Sequence, residues 1–511
     1  MASGRASSAG DDAPAIEESE PVQPIRARAR RRPGPWARGG RGLLGTSELA
    51  LLAVVGVVSM STVPTMAAYG LGAVPFLLVP AALFLVPVAL VAAELGSSWR
   101  GGVAVWAREG LGPRWGLAAA WLQWVQGVVR IPVLLAFAAA CLALAFTGPG
   151  ATSSGLGAAL VILVLFWGST LLVARGGTMF ARVAAWAGAL GVLLPAALLV
   201  CLGLGWVATG QQSEVSLDAT ELVPPYTGAA SIVLLVSGVL SFTGLEVGAA
   251  HVDQARQPAR SVPRAMAAAA ALVVGVLVLP AVAISLAVER DDTGLSAVNL
   301  ALHRYLDHWG AAWAVPVVLA LLAVGAVGSA IAWAAGPSRG LALAGQSGLL
   351  PPLLQRVGPT GAPHGILLAQ GAVVTVLAAL FALTPDASAV LVVLLAMAAA
   401  LYLVMYMMLF AAAVILRRTQ PGVPRGFRVP ALPVVAGIGF LASLAGFLVA
   451  FIPPTDALVG VESYPWLIAA LVVVVGAPPF VLSALRRPGW DRRSTGERAA
   501  AGGEVLVSPS G

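Results

Sequence analysis

Residues 228–251, GAASIVLLVSGVLSFTGLEVGAAH, form an apolar stretch whose middle carries Ser241, Phe242, Thr243, Gly244 and Glu246. A carboxylate at the centre of a membrane helix costs roughly 2.5 to 3.5 kcal/mol on insertion scales, so it is expected to face a partner or a water-filled cavity. Glycine and hydroxyl side chains beside it let the helix unwind, and unwound backbone offers amides and carbonyls to a polar ligand. A kinked packing helix with a buried, protonated Glu246 would carry the same residues. A second interruption is SMSTVPT at 59–65, containing Ser59, Met60, Ser61, Thr62, Pro64 and Thr65. Proline removes an amide and clashes with the carbonyl four residues earlier, so the helix should bend or break just before Pro64. Each interruption begins about 13 residues into its apolar run. Two interrupted helices at corresponding places are the sequence sign of repeats that meet at a midplane binding site.

Two arginines share this setting. Arg130 lies deep in the third apolar run, in WVQGVVRIPVLL. An unpaired guanidinium there would be very costly, so it should meet an acid, backbone carbonyls or a substrate carboxylate. Glu246 is the nearest acid by depth, which favours a structural or gating pair over direct substrate binding. The long run also leaves snorkelling open. Arg182 opens the fifth run in TMFARVAAWAG, where an anchor at the inner membrane face is one reading.

These residues need a membrane frame, and the composition supplies one. Of 511 residues, 59% are hydrophobic and 10% charged, and mean hydropathy is +0.90, which excludes a soluble domain of this length. All 30 basic residues are arginine; the formal charge of +7 therefore concerns membrane orientation, with no nucleic acid implied. Cys141 and Cys201 sit in apolar runs and suggest neither a disulfide framework nor a metal site. No His, Asp, Glu or Ser group stands at ligand or triad spacing, so neither an enzyme nor a cofactor is expected. A channel would need a charged ring or a carbonyl-rich filter loop, and none is repeated.

Twelve apolar runs are long enough to span, near 47–70, 73–96, 116–146, 155–175, 178–208, 228–251, 263–288, 311–335, 364–383, 386–416, 429–452 and 464–486. The third and tenth should tilt or extend beyond the bilayer. With the amino terminus inside, the tails, the inner loops and the inner ends of the runs hold 27 of the 30 arginines, the outer loops hold Arg290 and Arg304, and Arg130 lies within a span. Both termini are thus expected in the cytoplasm. Residues 1–42, with acids from Asp11 to Glu20 and then RARARRR, read as a disordered cytoplasmic tail, and 488–511 as a second. A twelve-helix membrane domain is expected over 43–487. SSWRGGVAVWAREGLGPRWG at 97–116 reads as an interfacial or re-entrant segment with Trp99, Trp106 and Trp115 at headgroup depth. PSRGLALAGQSGLLPPLL at 337–354 reads as a similar element, which would fit internal duplication. A short outer amphipathic helix is expected around Ala297 to His308.

GLEVGAAHVDQARQPARSVPRAM resembles the helix 6 segment of the amino acid/polyamine/organocation superfamily. VPTMAAYG, FLVPVALVAAELG, GGVAVWAREGLGPRWGLAA, AGPSRGLALAGQSGLLP and LVAFIPP are similar to its bacterial glutamate/GABA antiporter group, across roughly residues 45–487. The resemblance implies an all-α membrane protein with a LeuT-type 5+5 inverted repeat and two peripheral helices. It implies alternating-access transport of an amino acid held between the broken helices. The substrate's carboxylate would suit amides near Pro64 and Thr65, and its ammonium carbonyls around Ser59 to Ser61 and Ser241 to Thr243. Glu246 matches the family's helix 6 acid, with a gating or proton-coupling role. Arg182 resembles, by position, a basic residue that stands in for sodium in some relatives, although arginine would not shuttle protons. Glu94, at the inner end of the second run, is read as structural. The carboxyl-terminal tail contains no histidine, which argues against acid gating through that tail. Exchange, proton-coupled symport and nutrient sensing without flux all remain open, as a monomer or homodimer in the lipid bilayer of the cytoplasmic membrane.

Overall fold

The computed structural model describes residues 44–58, 60–148, 155–216, 218–222, 235–236, 238–292, 294–345, 348–383, 387–453, 460, 462–487 and 490. Ser59, residues 1–42 and all of 488–511 except Trp490 lie outside the described residues. The first expected span is two pieces, α1 (Thr46–Val57) and α2 (Val63–Ala67). There follow α3 (Gly70–Ser98), α4 (Gly102–Leu111), α5 (Pro113–Thr147), α6 (Gly155–Ala174) and α7 (Met179–Ala208). Next come the interrupted α8 (Gly238–Ala249), α9 (Pro258–Ala287), α10 (Gly294–His308) and α11 (Ala312–Gly345). The last four are α12 (His364–Leu383), α13 (Ala387–Thr419), α14 (Leu432–Val449) and α15 (Tyr464–Ala484). Among the described residues, nine helices are long and apolar enough to cross a membrane, while α1, α8 and α12 are shorter apolar helices.

Lipid offers no hydrogen-bond partners, so a chain this apolar must satisfy its amides within helices. Proline then shapes the helices from inside. The π-helical turns Ala81–Leu85 and Ala189–Leu193 each end just before a proline, Pro87 and Pro195 respectively. Proline lacks the amide that the carbonyl four residues back requires, and a local change of register accommodates the gap. At 35 residues, α5 is about 50 Å long, which exceeds the roughly 30 Å hydrocarbon core and obliges it to tilt or protrude.

Helices α5 and α11 pack together through the middle, where Trp333 is fully buried. The periphery is apolar and exposed: Val164 on α6 is 72% exposed, and Val473 on α15 is 67% exposed. Such faces require a lipid covering.

Two segments differ from the sequence reading. Residues 337–345 do not form an interfacial element; they continue α11, with Pro337, Ser338 and Arg339 buried. Their small residues allow α11 to remain in the packed interior instead of turning along the surface. The 97–116 segment does contain a short helix, α4, but Trp106 is fully buried and donates through Nε1 to Trp99 O at 2.8 Å. Of its three tryptophans, Trp115 alone is exposed. The amphipathic helix expected around Ala297 to His308 is present as α10. At that end, Arg304 Nη1 pairs with Glu214 Oε1 at 2.5 Å and Arg290 Nη2 with Glu221 Oε2 at 2.9 Å. The two arginines assigned to outer loops thus each meet an acid.

Candidate functional site

The breaks predicted from sequence are both present, and they touch. α1 ends at Val57, Val58 is extended, and Met60 to Thr62 form a turn before α2, which has Pro64 in its first turn. In the other broken helix, residues 238–241 are α-helical, 242–244 turn, and a 3-10 helix, Leu245–Gln254, follows. Gly244 carries the turn at φ +115°, a region that side chains disfavour. A Cβ on Gly244 would stand 2.2 Å from Gly56 O, and one on Gly56 would stand 2.6 Å from Gly244 O. The two backbones meet at paired glycines because no larger residue fits.

Partners gather around this crossing. A helix that stops inside a protein leaves its final carbonyls unpaired, with the negative end of its dipole beside them. Trp333 Nε1 donates to Gly56 O at 3.0 Å, and Arg130 Nη2 donates to Val57 O at 2.9 Å. The Arg130 guanidinium lies over the Trp333 ring, 5.3 Å from its centroid, a cation–π contact. Arg130 therefore meets a backbone carbonyl. Among the described residues it forms no ion pair with Glu246, although depth alone had paired them.

Glu246 is fully buried and served by neutral donors. Gln123 Nε2 donates to Oε1 at 3.0 Å, while the hydroxyls of Tyr402 and Tyr406 donate to Oε1 and Oε2. The Tyr406 hydroxyl also accepts the Gly244 amide at 2.7 Å, tying the acid to the turn. Three donors offset much of the cost of keeping a carboxylate away from water. Tyr402 and Tyr406 share one face of α13, four residues apart, with ring centroids 5.0 Å from each other, and Tyr402 also stacks edge-on against Trp333 at 5.7 Å.

Beside the crossing, a cavity of about 230 Å³ is lined by Gln126, Arg130, Leu240, Thr243, Ala399 and Tyr402, among others. Of the remaining sequence candidates, Met60, Pro64 and Phe242 are buried, Ser61, Thr62 and Ser241 are half-buried, and Thr65 is exposed. Arg182 is at the surface, its side chain 46% exposed and its Nε 3.4 Å from Glu48 Oε1 at the start of α1. Glu94 is locked at the end of α3: it accepts Arg417 Nε at 2.8 Å and the Val429 amide at 2.7 Å, and Arg425 Nε stands 3.2 Å away. Among the described residues, no group of His, Cys, Asp or Glu is arranged to hold a metal ion.

Gln123, Trp333, Tyr402 and Tyr406 were missed by the sequence reading. Each lies on a long helix, where a tryptophan or tyrosine looks like ordinary core. The usable signal was Tyr402 and Tyr406 at four-residue spacing, together with the polar Gln123 in an otherwise apolar run.

Residues 44–477 match the model of a family described as amino acid permease. The chain is 33% identical over 423 residues to an uncharacterized transporter of Legionella pneumophila, covering 81% of this chain and 90% of the relative. It is 28% identical over 445 residues to a glutamate/gamma-aminobutyrate antiporter of Lactococcus lactis subsp. cremoris, covering 84% and 88%. A probable agmatine/putrescine antiporter of Lactococcus lactis subsp. lactis is 22% identical over 309 residues, covering 59% and 64%.

Proposed function

Because this chain belongs to the amino acid permease family of the amino acid/polyamine/organocation superfamily, and is thus a multi-pass membrane transporter and not an enzyme, we propose that it exchanges amino acids across the cytoplasmic membrane by alternating access. The observation that carries this reading is the contact of two interrupted helices at Gly56 and Gly244 beside a polar-lined cavity. Broken helices leave backbone groups at mid-depth where a small polar substrate can use them.

We take the nine long helices and the three shorter apolar ones among the described residues as twelve crossings, with both termini in the cytoplasm. The first ten would form two inverted sets of five, each opening on a broken helix, with α14 and α15 peripheral. Exchange is preferred because relatives named as antiporters cover most of the chain. Within this reading, Glu246 is the proton-sensitive group, held where the Gly244 turn would respond to its hydrogen bonding. The backbone around Met60 to Thr65 and Ser241 to Gly244 forms the cradle.

Counterflow in proteoliposomes tests the proposal. Labelled amino acid should enter vesicles loaded with unlabelled amino acid and not enter empty ones. Uptake into empty vesicles driven by a pH gradient would replace exchange with symport. Binding without any flux would make the protein a sensor.

A further inference from the structure

The end of α1 already has a cation built into it. Helix carboxyl ends attract positive charge, and here the guanidinium of Arg130 supplies it, bonded to Val57 O at 2.9 Å and seated over Trp333. Its neighbour carbonyl, Gly56 O, is taken by Trp333 Nε1 at 3.0 Å. A substrate ammonium arriving at these two carbonyls would find both occupied and a like charge beside them.

Arg130 also lines the 230 Å³ cavity, whose volume is on the order of seven or eight waters. Among the lining residues it alone carries a formal charge. Glu246 lies close enough to interact electrostatically with Arg130 but does not line the cavity, being fully buried among Gln123, Tyr402 and Tyr406. Gln126, 6% exposed on the same wall, has an amide oxygen without a partner among the described residues. A buried polar atom left open next to a fixed cation marks a place for a polar ligand.

We infer that Arg130 is the anchor for a substrate carboxylate, and that it makes a carboxylate a requirement for binding. The ligand's acid group then lies near the carboxyl end of α1, held by charge-assisted hydrogen bonds, while its ammonium turns to the Gln126 oxygen. This polarity is opposite to one in which amides near Pro64 hold the acid. Amines that lack a carboxylate meet a fixed cation in a cavity lined by no acid, and are disfavoured. The inference rests on reading the crossing as the substrate site.

Ligand-induced thermal stabilisation of the purified, full-length protein tests it without requiring flux. Glutamate, glutamine, gamma-aminobutyrate and glutarate represent carboxylates; agmatine and putrescine represent amines. At least one carboxylate should stabilise the protein, and neither amine should. Stabilisation by an amine, or by none of the carboxylates, overturns the inference. For a carboxylate that binds, Arg130→Gln should weaken affinity about 10- to 100-fold, and Arg130→Lys should recover part of the loss. A folded Arg130→Gln protein with unchanged affinity also overturns it. Carboxylate binding lost in Arg130→Gln, with no counterflow in the unaltered protein, would leave the anchor standing and refute transport.

Discussion

Replacing Gly244 with alanine probes the contact on which the site depends. The new methyl group would lie 2.2 Å from Gly56 O, whereas real Cβ contacts essentially never fall below 3.0 Å, so the two backbones must separate by about 1 Å. Trp333 closes the other side at 3.1 Å and prevents a simple sidestep. The φ of +115° adds a backbone cost of about 1–2 kcal/mol for a residue with a side chain. Overpacking adds about 1–3 kcal/mol, for a total of about 2–5 kcal/mol. A displacement of about 1 Å between the halves should also lower transport on the order of 100-fold, as misplacement does at other preorganised sites. Gly275→Ala is the matched control, because nothing lies within 4 Å of its Cβ position on α9. The assay is thermal or detergent-induced unfolding of the two purified variants, paired with counterflow. If Gly244→Ala unfolds and exchanges like Gly275→Ala, the close crossing is wrong.

Glu246→Gln should keep the fold, since the hydroxyls of Tyr402 and Tyr406 can turn to accept as well as donate, but should flatten the pH dependence of flux; an unaltered profile would leave Glu246 a packing role. Glu94→Gln should destabilise the protein by about 3–5 kcal/mol, because it strips Arg417 and Arg425 of their shared buried partner; a melting midpoint equal to that of the unaltered protein would count against this. Arg182→Gln should cost less than about 1 kcal/mol and leave exchange intact, as its pair with Glu48 is partly exposed and the contact is 3.4 Å long. Loss of exchange in that variant would support Arg182 as a substitute for sodium.

The breaks were legible in the sequence because proline and glycine act locally. Pro64 and Gly244 disfavour a continuous helix through their own backbone constraints, and the structure puts turns beside both. What surrounds the breaks was not legible, because it is set by which helix faces meet. Trp333 comes to Gly56 across 277 positions of sequence, and Tyr406 to Glu246 across 160. Arg130 was singled out correctly as needing a partner, but depth along a helix says nothing about azimuth, and the partner is Val57 O. The continuation of α11 through Pro337 was missed for a related reason: neighbouring helices can stabilise a proline-containing turn that would break an isolated helix.

The short pieces on one side of the crossing are joined along their whole length. α1 meets the 3-10 helix at Gly56 and Gly244, again where Gly248 abuts Ala53, and finally where the Arg256 amide donates to Leu44 O at 3.2 Å beside the Leu44–Ala255 bridge. Riveted at both ends, they cannot splay like separate fingers. Moving one piece without the other would have to break all of these contacts, so the two halves are coupled as a single body.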